Sequence, residues 1–478
     1  MERLRNWAGN YTYGASALHV PESVEQLREL VVRFRRIKAL GTRHSFNDIA
    51  DCDGVLISLE KLNRVVALDR KNHRVTVEGG IRCGELSQYL NNNGYALHNL
   101  ASLPHITVAG ACATATHGSG DRNRNLAAAV HSMEVLKADG ETVVFTRGQP
   151  DRDIAGAAVS LGGLGIIVNM TLDVVPAFPM CQHVYEHLPM AKLQDHFDDI
   201  FSSAYSVSLF TDWKQESFNQ VWLKRRLDGQ ASVPVRERDS HPHSEPRPAP
   251  GLDPHPSSDH SPVPAADQAR DQASDVASRQ TADQAADAAF VRSEPEFFGA
   301  VLADGKRNPV PGQSPVHCSE QMGIPGPWHE RLPHFRMDFT PSAGEELQSE
   351  YFVPREKAVE ALYAVSRIRD RIWPHLYISE IRTIAADDLW MSPCYRRDSV
   401  GIHFTWKADG EAVRQVLPLI EEQLAPYEAR PHWGKLFAMP PDQVKACYEK
   451  LPDFRELLMR CDPEGKFRND FLKRYVAD

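Results

Sequence analysis

Three stretches in the first third of the chain consist largely of small residues, and they restrict the fold more than any other sequence feature. Leu40 to Asn47 reads LGTRHSFN, Asn99 to Gly120 reads NLASLPHITVAGACATATHGSG, and Ser160 to Ile167 reads SLGGLGII. A backbone without bulky side chains can approach another segment, or a flat ligand, closely. One such run alone reads as a tightly packed core crossing. Three in one region point instead to a ligand held from several sides. The first run follows a strand-like stretch, where a glycine and small hydroxyl residues can turn backbone N–H groups toward an anion such as a pyrophosphate. It is neither a GxGxxG fingerprint nor a P-loop, because the further glycines and the GK[ST] ending are missing.

Around these runs the pattern is mixed α and β. Val55 to Leu59, Val65 to Leu68, Val75 to Val77, Val130 to Leu136 and Val143 to Phe145 read as strands, with Asp139-Gly140 as a hairpin turn. Val24, Leu27, Leu30 and Val31 recur at helical spacing, and a second helix through Glu85 to Leu90 meets a stop at Gly94. From Asp228 to Ala289 the chain changes to Pro, Ser, Asp, Ala, Gln and His with ADQA near-repeats, which predicts a flexible polar insertion with little surface to bury. Globular patterning resumes after Phe297, with strands expected around Glu380 to Ile384 and Gly401 to Trp406. Helical spacing links Val359, Leu362 and Val365, and again Leu451, Phe454 and Leu457. The turn from Asp462 to Phe467 is expected to end the last helix.

The chain's 478 residues suffice for two domains with substantial cores. A net charge of -10 has the wrong sign for a nucleic-acid binder. Met1 to Tyr13 has no apolar leader and no later run would span a bilayer, so a cytoplasmic, membrane-free protein is expected. Its eight cysteines lack CxxC spacing, so reduced thiols and no metal centre are expected.

Glu380 and Arg382 sit two apart in one strand-like run, and His403 and Thr405 in another, so each pair shares a face. Alone, the first pair reads as an ordinary surface ion pair. Arg430 to Lys435 (RPHWGK) adds an imidazole, an aromatic ring and an ammonium in a short turn.

Longer segments carry a resemblance. NWAGNYTY at Asn6 to Tyr13, the HSFN segment ending at Asn47, NLASLPHITVAG at Asn99 to Gly110, YSVSLFTDW at Tyr205 to Trp213, PGPWHERLPHF at Pro325 to Phe335 and RPHWGK together resemble the alditol (xylitol) oxidases of the vanillyl-alcohol oxidase superfamily. The likeness covers nearly all of the chain outside the insertion. It implies an α+β fold: a PCMH-type FAD-binding domain over residues 1–176, and a substrate domain over 177–429 with an antiparallel sheet flanked by helices. The substrate domain would contain the insertion at 228–289, and a C-terminal segment over 430–478 would complete the FAD side.

The same resemblance implies FAD bonded covalently to His44. No cysteine lies between Asn99 and Thr107, so a single link is expected. Ala39, Leu40, Gly41, Thr42, Arg43, Ser45, Thr107, Gly110, Thr114, Ala115, Thr116, His117, Ile167 and His432 would contact the cofactor. Ser102, Glu380, Arg382, Thr405 and Lys435 would bind a polyol, with Arg382 and Lys435 as the catalytic cations. Arg43 departs from the family, where glycine stands just before the histidine, and Ala101 matches the small residue that leaves oxygen a path. The implied reaction converts an alditol's primary alcohol to an aldose and O2 to hydrogen peroxide, in a monomer. Rival readings are an aldonolactone oxidase or dehydrogenase of the same superfamily and a catalytically silent flavin- and polyol-binding protein.

Overall fold

The computed structural model describes residues 3–228, 291–338 and 345–477. Beyond Asp228, the expected insertion lies outside them. The first element is a three-stranded parallel sheet in which Val55–Ser58 lies between Ala17–His19 and Ile37–Leu40. The helix Val24–Arg33 connects two of these strands. Ser23 caps it by accepting from the Gln26 N–H, and Leu27 and Val31 bury its apolar stripe against Ile37, Val55 and Ile57.

A five-stranded antiparallel sheet follows, in the order Val65–Asp69, Arg74–Glu78, Ile166–Asp173, Val130–Leu136, Thr142–Thr146. Val65 to Leu68, Val75 to Val77, Val130 to Leu136 and Val143 to Phe145 each lie within one of these strands and Val55 to Leu59 overlaps the central strand of the parallel sheet, but Ile166–Asp173 was not expected as a strand. The turn at Asp139-Gly140 closes the last hairpin, with Gly140 at a φ of +83° that a residue with a side chain rarely adopts. The helix Cys83–Asn92 stops before Gly94, whose φ is +79°.

The small-residue runs divide between the expected roles. In SLGGLGII a Cβ on Gly163 would meet Leu458 Cδ2 at 2.6 Å, and one on Gly165 would meet the Leu136 carbonyl at 2.3 Å. Those glycines serve packing, and only Leu161 and Gly162 reach the cavity described below.

The C-terminal tail returns to this region. Leu451, Phe454, Leu457 and Leu458 of the helix Leu451–Cys461 join the core that also holds Val135, Ile154 and Met170. The turn after it does not end the last helix, because a further helix, Asp470–Tyr475, follows. Asn469 restarts it: its side chain accepts from the Leu472 N–H and donates to the carbonyls of Asp48, Ile49 and Asp51. That cap therefore also ties the tail to the chain just beyond His44.

Residues after Pro179 build a ten-stranded sheet. Its long strands run in the order Pro179–Pro189, Ser217–Arg226, Ser206–Thr211, Leu376–Ile384, Ser399–Lys407, Glu346–Pro354, each antiparallel to its neighbour. Alternation along the strands separates the two faces. Ile381, Ile402, Phe404, Trp406, Tyr351 and Val353 pack on the helices Ala358–Ser366 and Gly410–Leu424. The intervening residues, Ile378, Glu380, Arg382, His403, Thr405, Gln348 and Glu350, face a cavity.

Candidate active site

The cavity, about 660 Å³, lies between this polar sheet face and the small-residue runs. Strand register aligns its charged wall: Glu380 pairs with His403, which pairs with Glu350, while Ile378 and Gln348 both pair with Thr405. The edge strand Arg430–Pro431 extends the row, and the His432 N–H donates to the Glu350 carbonyl at 2.9 Å. That contact leads the chain to Lys435 beside the sheet.

Glu350 is the centre of the wall. One carboxylate oxygen lies 2.6 Å from Lys435 Nζ, and the other lies 2.7 Å from Arg382 Nη2 and 3.2 Å from His117 Nε2. Burial alone would raise its pKa, but the charges of Lys435 and Arg382 outweigh that and hold it well below the usual carboxylate range. Arg382 is likewise buried, yet Glu380 and Glu350 push its pKa up. Lys435 moves the other way: burial, with Arg382 nearby, lowers its pKa despite Glu350. Two carboxylates and two cations thus share a desolvated wall.

Hydrogen bonding gives the neutral groups a polarity. Lysine only donates, so His403 Nδ1 accepts from Lys435 Nζ at 2.8 Å and its Nε2–H donates to Thr405 Oγ1 at 3.0 Å. The Thr405 hydroxyl proton is left to donate elsewhere. Burial holds the His403 ring neutral, with a pKa lowered to about 4. Arg382 Nε is buried without a hydrogen-bond partner among the described residues.

The opposite wall is built from Ala39 to Phe46, Ala101 to Leu103 and Thr107 to His117, with Thr107 at the N-terminus of the short helix Val108–Ala113. The His44 ring stacks on Trp7 at 5.1 Å between centroids, and its Nδ1 lies 3.0 Å from Thr42 Oγ1. Its Nε2 is buried with no partner among the described residues, and burial lowers its pKa to about 4, leaving a neutral imidazole. Arg43 has φ +63°, the left-handed conformation that glycine adopts without strain. Its guanidinium leaves the cavity wall to donate to the Arg5 carbonyl at 3.1 Å.

Of the residues named from sequence, all but two line this cavity; Ala115 and Ile167 are buried in the adjoining core. Residues missed include Glu350, His334, Gln348, Phe210 and Lys38, while His403 was singled out only for sharing a strand face with Thr405. Glu350 had a signal, a carboxylate inside the strand-like LQSEYFVP, but a lone glutamate in a strand does not announce its partners. Glu380 and Arg382 are not a surface pair, since both are buried.

The walls suit a flat, phosphate-bearing cofactor: glycines at 41, 110 and 162, exposed backbone at 41–45, and an unpartnered buried ring nitrogen at His44. His117, Glu350 and His432 place possible metal-ligand atoms within 4.8 Å of one another. Both Glu350 oxygens, however, already face cations, which makes this an ion-pair network rather than an open ligand set. All eight cysteines are free, as expected of reduced thiols. No helix among the described residues is long and apolar enough to cross a membrane.

Residues 15–146 match the FAD binding domain family and residues 343–475 the D-arabinono-1,4-lactone oxidase family. Cholesterol oxidase from B. sterolicum has a similar fold, with a TM-score of 0.69 at 13% identity over 99% of this chain and 96% of that one. With the site above, these matches define the class: an FAD-dependent oxidoreductase of the PCMH-type α+β fold. The chain is 42% identical over 473 residues to an alditol oxidase of a Streptomyces species, covering 98% of each, and it belongs to that family. A more distant relative is the L-gulono-1,4-lactone dehydrogenase of Mycobacterium tuberculosis, 27% identical over 482 residues, covering 99% of this chain and 98% of the relative.

Proposed function

We propose that this protein oxidises the primary alcohol of a linear alditol such as xylitol or sorbitol to the aldose, with O2 reduced to hydrogen peroxide. The observation that carries the reading is the pairing of the cofactor-shaped wall with a buried wall of Arg382, Lys435, Glu380 and Thr405 in one cavity. FAD, when bound, supplies the hydride acceptor and the route for electrons to oxygen. His44 anchors it covalently through the flavin's 8-methyl carbon. Gly41 to Ser45 would wrap the pyrophosphate, and Thr107, Gly110, Thr114, Thr116, His117 and His432 would line the rest of the cofactor.

The protein's own part is to bind, orient and polarise the polyol. Arg382 and Lys435 lower the cost of negative charge on the reacting oxygen as its proton leaves. Glu380, Thr405 and Ser102 hydrogen-bond to further hydroxyls, so an analogue lacking them would leave buried polar groups unpaired. Ala101 keeps space for oxygen. Residues 1–176 act as the FAD-binding domain, 177–429 as the substrate domain, and 430–478 complete the FAD side, in a cytoplasmic monomer.

Peroxide release measured with xylitol, sorbitol and gulonolactone tests the proposal. Peroxide from either alditol is expected, and peroxide from neither overturns it. Lactone oxidation is the second reading, favoured by the match of residues 343–475 to D-arabinono-1,4-lactone oxidase. Turnover of gulonolactone alone would establish it.

A further inference from the structure

Glu380 is held by a chain of side chains that the catalytic reading does not use. His334 lies 6% exposed at the end of the PGPWHERLPHF segment, with Nε2 2.7 Å from Glu380 Oε1 and Nδ1 3.1 Å from Lys224 Nζ. Lys224, on the strand Ser217–Arg226, is fully buried, and its ammonium also donates to the carbonyls of Leu332 and Pro333. The ionised Glu380 carboxylate can only accept, so His334 Nε2 must carry the proton, and Nδ1 is left to accept from Lys224 Nζ; the two contacts together fix the tautomer. The ring is clamped edge-on by Phe210 and Trp222, at 5.6 and 5.2 Å between centroids.

This arrangement occupies one oxygen of Glu380 and leaves the other facing the cavity, 3.6 Å from Arg382 Nε. That nitrogen is buried and has no hydrogen-bond partner among the described residues. Glu380 and Arg382 both line the cavity, so one hydroxyl there can donate to the carboxylate and accept from the guanidinium. We infer that His334, fixed in tautomer and direction by Lys224, is a positioning residue for substrate selection: it orients Glu380 so that Glu380 and Arg382 together select a hydroxyl on the carbon chain. The inference rests on the alditol reading above.

Kinetics of the full-length, flavin-loaded protein with xylitol and sorbitol test it. His334→Phe keeps an aromatic ring between Phe210 and Trp222 but cannot donate. It should raise KM about tenfold or more, the scale of one lost charge-assisted hydrogen bond, with a smaller change in kcat. Flavin content should stay near wild type, while the melting temperature should fall because Glu380 and Lys224 each lose a buried partner. His334→Gln, which restores an N–H donor, should recover much of the loss, and Lys224→Met, which frees the tautomer, should raise KM in the same direction. Unchanged KM in His334→Phe overturns the inference, as does a glutamine variant no better than phenylalanine. A wild-type protein inactive on both alditols instead overturns the alditol reading itself.

Discussion

Glu350 lies between the two cations of the site, 2.6 Å from Lys435 Nζ and 2.7 Å from Arg382 Nη2, with its carboxylate fully buried. Removing one partner of such a cluster leaves buried charge uncompensated, at a cost of about 3–5 kcal/mol. Glu350→Gln is therefore expected to melt earlier and to lose turnover by about a hundredfold, against about 2.7 kcal/mol of transition-state stabilisation. Glu350 raises the pKa of Lys435. Without it, Lys435 gives up its proton at lower pH, and the alkaline limb of the kcat profile should move down. An unmoved limb would show that Lys435 does not titrate in turnover.

The unpartnered ring nitrogen of His44 predicts where the cofactor is attached. His44→Ala should bind FAD without a covalent link, so that the yellow fluorescence of the wild-type band on a denaturing gel disappears. Fluorescence that survives the substitution would move the attachment elsewhere.

Arg382 and Lys435 line the cavity as well as holding Glu350 in its wall. Losing either, as in Arg382→Met or Lys435→Met, should reduce kcat by about two orders of magnitude, the size seen when one charge-stabilising donor is removed. Flavin content should change little. Equal losses of turnover and flavin would assign them a structural role.

Ala101 lines the cavity and is itself buried. Ala101→Val adds volume where oxygen is expected to pass, at the roughly 1–3 kcal/mol typical of overpacking. Stopped-flow reoxidation by O2 should slow about tenfold or more, while reduction by alditol is retained. Reoxidation at the wild-type rate would remove Ala101 from the oxygen path.

Acid should destabilise the fold through its buried imidazoles. Burial lowers the pKa of His98, His334 and His403 from 6.5 to about 4. Between those values the unfolded chain binds protons that the folded chain does not, so stability falls as pH drops from about 6.5 to about 4. Melting temperatures measured across that window should decrease steadily, and replacing His98 with Asn should flatten the slope.

Much of the local structure was legible because it is written in near neighbours. Four strands of the five-stranded sheet, all but the central Ile166–Asp173, the Asp139-Gly140 turn and the Gly94 stop depend on side-chain alternation and on positive φ, both short-range properties. The final helix was missed because its start depends on Asn469, a cap whose side chain also reaches the carbonyls of residues 48, 49 and 51. Ala115 and Ile167 carry small or apolar side chains that suit a cavity wall and a core equally well, and packing put them in the core.

By itself, the sequence determined that a small-residue, ligand-clasping region precedes a polar-faced sheet, and its longer motifs tied His44, Arg382 and Lys435 to one family. Only the tertiary structure decided that Glu350 joins the two cations, that His403 directs Thr405, and that Lys224 and His334 hold Glu380. These partners come from different strands and loops, up to 156 positions apart between Lys224 and Glu380. Their meeting depends on strand register and on burial that strips away water, neither of which is a property of any short stretch of chain.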